Sequence, residues 1–275
     1  MRCTMQMGTG PVVPEGERRW VRHVFETSSA RYEERQPQDE LARDVVCFWT
    51  LHIDSRERSH VQHILPDLAA DVISVDDGPP FVAGPPTAAM RIPISGGTAI
   101  KGVRLRAGAA RRLFDASPVE LLDRHVPLRD LLRAPSARAA AAHDVHGYVA
   151  GLLRQTSAEK DPTVRSAISW LAANWRSSVD DLSKHANWSS RELRRRFVAA
   201  LGMGPKLVQR MVRVQAALHL MRARKGRVAL SELAFECGFA DQAHMTREIG
   251  RFTDHTPTHL RRLAHLAPRG FADRR

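Results

Sequence analysis

Asp181-Leu182-Ser183-Lys184-His185-Ala186-Asn187-Trp188-Ser189-Ser190-Arg191-Glu192-Leu193-Arg194-Arg195-Arg196-Phe197 reads as a short amphipathic helix, a tight turn and a second helix whose arginines lie opposite its apolar residues. The pattern recurs as Glu232-Leu233-Ala234-Phe235-Glu236-Cys237-Gly238-Phe239-Ala240-Asp241-Gln242-Ala243-His244-Met245-Thr246-Arg247-Glu248-Ile249. In each copy the first helix must stop abruptly, which requires a residue tolerant of positive φ. Asn187 supplies it in the first copy and Gly238 in the second. A large apolar residue follows, Trp188 or Phe239, suited to wedge the two helices together. Ser189 or Ser190, and Asp241, then offer side-chain oxygens to cap the second helix. Leu182 to Leu193 spans eleven positions and Leu233 to Met245 twelve, so one turn holds an extra residue.

At about 100° per residue, Leu193 and Phe197 point inward in the second helix of the first copy, leaving Arg191, Arg194 and Arg195 on the outward arc. In the other copy Met245, Ile249 and Phe252 face the core, Ala243, Thr246, Arg247 and Arg251 face out, and Gln242 sits near the start. Arginine suits such a face because its planar fork bonds both O6 and N7 of guanine, and glutamine reads adenine by the same two-point logic. Two units of this kind in tandem imply entry into two successive major-groove segments of DNA. Between them, Pro205 to Arg224 predicts a long helix with Leu207, Met211, Val214, Leu218 and Met221 along one stripe. About 18 residues at 1.5 Å each make a strut of roughly 27 Å, of the order needed to hold two reading helices about one DNA turn, near 34 Å, apart.

The charge distribution agrees. The formal net charge is +12, and residues 160–275 hold 22 Lys plus Arg against 10 Asp plus Glu, so the first 159 residues are neutral and all the excess lies with the paired motif. That is the footprint of a part that docks on a polyanion. Cys3, Cys47 and Cys237 are scattered, which suggests neither a disulfide framework nor a cysteine zinc site and fits a reducing cytoplasm. Glu15, Glu17, Arg18 and Arg19 interrupt any leader-like apolar run, and no stretch approaches the roughly 20 apolar residues that span a bilayer. The expectation is a cytoplasmic protein with no membrane partner.

Residues 1–30 mix Gly, Pro and charge without a period and read as a flexible arm. Strand signatures follow at Asp44 to Ile53, Asp71 to Val75, Pro80 to Ala83, Met90 to Ile94 and Ala99 to Leu105, separated by turn signals at 77–80, 84–86 and 96–97, which implies a small sheet or partial barrel. Phe48 and Trp49 fall on opposite faces of one strand, so one enters the core while the other lines a pocket or interface, a core or dimer role being favoured over ligand contact. After Gly108 the period lengthens, and Ala109 to Phe114, Val119 to Asp123, Leu128 to Leu132 and Ala139 to Leu153 are predicted helices. The domain organisation expected is an arm at 1–30, a mixed α and β sensor or dimerisation domain at 31–155, a linker at 156–163, a helical DNA-binding domain at 164–265 starting with a helix over Val164 to Trp175, and a flexible tail at 266–275. The fold class is thus an α+β N-terminal domain, a small sheet plus helices, followed by an all-α domain with two helix-turn-helix units joined by a long helix.

Leu182 to Phe197, Gly204-Pro205, Leu218 to Met221, Leu233-Ala234, Gly238-Phe239-Ala240-Asp241-Gln242, Arg247 and Thr256-Pro257 together resemble the DNA-binding domain of AraC/XylS-type transcriptional regulators, over Val164 to Arg262. The resemblance implies that the two major-groove helices fall on Ser190 to Ala200 and Asp241 to Thr253, with base contacts at Arg191, Arg194, Arg195, Gln242, Ala243, Thr246 and Arg247, to which Ser190 and Arg251 are added as expected DNA contacts from their places on the same helices. It further implies double-stranded DNA as partner, RNA polymerase as a second partner, and an N-terminal domain that senses a small effector, forms a homodimer, or both. The chain departs from the family at Asn187 and Asp254, where glycine is usual, and at Ile249, where phenylalanine is usual. The N-terminal half is similar to a poorly characterised domain often joined to such readers, through Leu41 to Thr50, Leu65-Pro66-Asp67, Asp71-Val72-Ile73, Val82 to Pro85 and Gly102 to Gly108.

The competing reading is an enzyme in the first domain tethered to a DNA-binding tail. No Gly-x-Ser-x-Gly elbow or Gly-x-x-x-x-Gly-Lys loop supports it. His52, His60, His63, Asp67 and Asp71 fit no zinc signature, so neither metal nor cofactor is expected, and the protein is expected not to be an enzyme.

Overall fold

The computed structural model describes residues 30–132, 144–155 and 163–266, with side chains through residue 263. The expected arm at 1–29, most of the expected linker (156–162), the tail from 267 and the first residues of the expected 139–153 helix lie outside the described residues.

The first domain is built on β1 (Ala30–Arg35), β2 (Val45–Ile53), β3 (Ser59–Ile64), β4 (Ala70–Val75), β5 (Phe81–Ala83), β6 (Met90–Ser95), β7 (Ala99–Leu105) and β8 (His125–Pro127). Six strands form an antiparallel sheet in the order β1-β2-β7-β4-β5-β8, and β3 pairs with β6 in a separate two-stranded ribbon. Three strands escape the sequence reading: β1, β3 and β8 carry alternating polar residues such as the glutamates and arginines of β1, with little apolar signal to mark them. The helices are α1 (Ala110–Leu113), α2 (Pro118–Leu121) and α3 (Val145–Gln155). The predicted helix at 128–132 is a single 3-10 turn, Leu128–Leu131, because Pro127 precedes it and Leu132 returns to extended backbone.

Val145, Val149 and Leu153 of α3 cover one sheet face, packing with Phe48, Val72, Val103 and Leu105. The opposite face holds Cys47, Trp49, Leu51, Ile53 and Ile100. Phe48 and Trp49 are therefore both buried, one on each face of the sheet, and neither lines a pocket. The Trp49 indole lies across Gly102, where an added Cβ would sit 2.2 Å from its Cε2, so the glycine is required by close approach. Trp49 Nε1 donates to Asp71 Oδ1 at 2.7 Å, and the buried Arg104 bonds both Asp71 oxygens, Nε to Oδ1 at 3.1 Å and Nη2 to Oδ2 at 3.0 Å. Buried charge is tolerated when paired and hydrogen-bonded in this way.

All described residues from 163 are helical or turn: α4 (Thr163–Ala173), α5 (Val179–Ala186), α6 (Ser190–Leu201), α7 (Pro205–Ala223), α8 (Leu230–Glu236), α9 (Gln242–Thr253) and α10 (Pro257–Leu266). Pro205 at the first helical position starts α7, whose missing N–H costs nothing there. Met211, Val214, Leu218 and Met221 join Leu182, Leu193, Phe197, Leu233, Met245, Ile249 and Phe252 in one core, so the strut serves both helix-turn-helix units. That core also contains Leu65, Leu68 and Ala107 of the first domain. The two domains therefore share apolar packing. Among the described residues no helix is long and apolar enough to cross a membrane.

Candidate nucleic-acid interface

Both units turn by the same backbone device. In the first, Asn187 adopts φ 54 and ψ 44, its N–H donates to the Lys184 carbonyl, and the Trp188 N–H donates to the Ser183 carbonyl at 3.0 Å. In the second, Gly238 adopts φ 75, donating to the Phe235 carbonyl at 3.1 Å while the Phe239 N–H donates to the Ala234 carbonyl at 3.0 Å. This left-handed cap satisfies carbonyls that the helix end would orphan. Asparagine is the side chain that adopts it most readily after glycine, which is why Asn187 serves.

Past the cap the copies diverge by one residue. Ser189 directly follows Trp188 and accepts the Glu192 N–H at 3.2 Å, whereas Ala240 intervenes before Asp241, which accepts the His244 N–H at 2.6 Å. Of the two serines offered by the sequence, Ser189 is the cap, and Ser190 is the first residue of α6. The extra residue of the second turn is accommodated by His244, which presents its ring edge to Phe239 at 5.5 Å and accepts the Ala240 N–H at Nδ1.

On α6, Leu193 and Phe197 are fully buried, while Ser190, Arg191, Arg194 and Arg195 are exposed. On α9, Met245, Ile249 and Phe252 are buried, while Gln242, Ala243, Thr246, Arg247 and Arg251 are exposed. Among the described residues none of these five arginines has an ion-pair partner. Other arginines of the domain differ. Arg196 bonds Glu192 and lies over the Trp188 ring at 4.7 Å, Arg210 bonds Glu248, and Arg224 bonds Glu236. The Glu248 carboxyl feels burial pushing its pKa up, but the Arg210 bond prevails and holds it below the ordinary value. The acid on the second reading helix is thus neutralised on the inward side. Thr246 spends its hydroxyl on the Gln242 carbonyl at 2.8 Å, leaving its methyl as the outward feature of that position.

Gln209 Nε2 donates to the Ser177 carbonyl, and Arg213 donates to the carbonyls of Trp175, Arg176 and Ser177. These bonds pin the segment before α5 to the strut. Neither residue belongs to the apolar stripe that spacing marks on α7, so the sequence carries no signal of these long-range bonds. The His60, His63, Asp67 and Asp71 set is dispersed: Asp67 and Asp71 turn to Arg104, His60 bonds Gln62, and His63 stacks on His255. Cys237 is buried, which pushes its thiol pKa up to about 12 and leaves it unreactive as a nucleophile.

Residues 182–263 match the family described as a helix-turn-helix domain, and residues 33–127 match a domain of unknown function (DUF6597). The HTH-type transcriptional activator RhaR of Escherichia coli strain K12 is 32% identical over 120 residues, covering 43% of this chain and 41% of that protein. RhaR of Shigella flexneri serotype 5b matches at the same identity and coverage. This chain thus spans about two fifths of those relatives, 41% of each. Among solved structures, ToxT from Vibrio cholerae superimposes with a TM-score of 0.41 and 8% identity, covering 74% of this chain and 97% of that one, an overlap too slight to carry an argument.

Proposed function

We propose that this protein is a sequence-specific DNA-binding transcriptional regulator of the AraC type, whose residues 182–263, matched to a helix-turn-helix domain, place α6 and α9 in successive major-groove segments. The observation that carries this reading is the pair of helices each capped by a side-chain oxygen, Ser189 or Asp241, and each exposing arginines with no ion-pair partner among the described residues. Uncompensated guanidinium groups on a helix face are costly in self-repulsion and favourable against phosphate and guanine. Arg191, Arg194 and Arg195 serve one segment; Gln242, Ala243, Thr246, Arg247 and Arg251 serve the other, with Ser190 at the first helix start.

The first domain acts in this reading as a sensor of a small effector, a homodimerisation module, or both, and RNA polymerase is the downstream partner. The matched relatives are transcription regulators rather than enzymes, and the ionisable groups buried beneath the sheet are engaged with one another. Binding of labelled duplex to the full chain at rising salt tests the proposal. Log K against log[salt] is expected to fall with a slope near −0.9 per phosphate contacted. A flat response overturns it.

A further inference from the structure

Both reading helices end against the N-terminal domain. α6 closes at Gly202 with φ 75, and a Cβ there would come within 2.7 Å of the Pro118 carbonyl oxygen at the start of α2. Ala200, the next-to-last residue of α6, packs against the shared core, as does Leu122 of the first domain. α9 closes at Asp254 with φ 57, and its carboxylate pairs with Arg91 of β6 at 2.5 Å. The next residue, His255, stacks on His63 of β3 at 5.4 Å and on His259 of α10 at 5.0 Å. Between these two ends, Leu65 and Pro66 line, together with Met211, Val214, Leu218 and Phe252, a hollow with no room for a water, and Leu68 joins the same core. Gln215 of α7 donates to the Pro66 carbonyl at 2.8 Å, and Asp67 ties the insertion back to Arg104 at 3.4 Å.

Asp254 is the informative residue. A left-handed helix cap is satisfied most cheaply by glycine, yet here the position holds a carboxylate that reaches the other domain. The geometry points to the N-terminal domain as a brace that fixes the spacing and tilt of α9 relative to α6, with Arg91 and Asp254 as positioning residues for DNA recognition. The inference deepens the DNA-binding reading and rests on it for its consequence, although the brace itself is a property of the free protein. A ligand or a second copy bound by the first domain would then act on DNA choice by shifting the ribbon of β3 and β6.

The test is made on the full chain without DNA. Spin labels on Arg194→Cys and Thr246→Cys, with Cys3→Ser to remove a competing thiol, report the α6 to α9 distance by pulsed electron resonance. The chain with Arg91 intact is expected to give a narrow distribution, and Arg91→Glu, which sets two carboxylates against each other, one broadened about twofold or displaced. Arg91→Lys is expected to restore the narrow form, which a general loss of folding would not. Thermal melting of each variant identifies unfolding as a separate outcome, in which case Arg91→Gln replaces Arg91→Glu. Distributions that coincide for all variants overturn the brace. In a second arm, duplexes selected by the wild-type chain are given one added base pair between segments, a rotation of about 34°. Arg91→Glu is expected to lose several-fold of the wild-type discrimination against them, and equal discrimination counts against the brace. Failure of the wild type to bind any duplex overturns the DNA reading, while the distance measurement still decides the brace.

Discussion

Single side chains set both recognition and stability here. Arg195 is exposed on α6 with no acidic partner, so its fork is free for a base edge. Arg195→Ala is expected to weaken specific binding by about 1–3 kcal/mol and to relax base choice in one half-site. Competition between selected and random duplex checks this: equal weakening of both would make Arg195 a phosphate clamp. Beneath the sheet, Asp71 accepts from Trp49 and Arg104 at once. Asp71→Ala leaves a buried guanidinium with Asp67 alone as a carboxylate partner, 3.4 Å away. A loss of about 3–5 kcal/mol in denaturant unfolding is expected. A loss near zero would mean that water reaches Arg104.

At the scale of the element, the helix caps were legible and the strand partners were not. Asn187, Gly238, Ser189 and Asp241 act through local backbone bonds, so their roles are written within a few residues of themselves. Asp241→Ala is expected to cost about 1 kcal/mol of stability and to fray the start of α9, where Gln242 and Ala243 lie. Hydrogen exchange at the His244 amide, which Asp241 holds at 2.6 Å, reports it directly. Strands such as β2 were found because Val45 to Trp49 is a continuous apolar run, but that run is buried on both faces. Its alternation therefore could not tell that both faces were covered, and Trp49 was placed only by Gly102 across the sheet. In the ribbon, β6 showed its alternation at Met90 to Ile94, whereas its partner β3 carried too few apolar residues to mark it. His60 and His63 drew notice as metal-binding types, whereas what fixes them is a strand pairing between residues 59–64 and 90–95 and contact with a helix end far along the chain. Likewise the five outward arginines followed from helical spacing, while the paired state of Arg196, Arg210 and Arg224 depends on neighbours that spacing alone did not supply.

The molecule as a whole carries a pH dependence at the junction of its domains. Burial pushes the His63 pKa below its ordinary 6.5, with Arg91 and His60 adding to the effect and Asp254 opposing it. Burial does the same to His255, assisted by His259, His63 and Arg91 and again opposed by Asp254, while Arg262 contacts His259 from the far side. Docked imidazoles thus bind protons less readily than free ones. The contribution of this contact is fully present above the free value of 6.5 and is lost as pH falls from there through the lower docked values. Exchange protection of β6 and of the turn after α9, corrected for intrinsic rates, is expected to drop as pH falls below the free value of 6.5. His63→Gln with His255→Gln should flatten that drop; an unchanged profile would assign it elsewhere. The hollow on α7 has a further consequence. Residues 164–275 cut from the rest would bare Met211, Val214, Leu218 and Phe252 to water. Such a fragment is expected to self-associate, visible by light scattering, because each Å² of apolar surface left wet forfeits about 25 cal/mol. Grafting a different N-terminal domain onto these helices therefore demands a donor loop bearing its own pair of greasy side chains, where Leu65 and Leu68 now join the core.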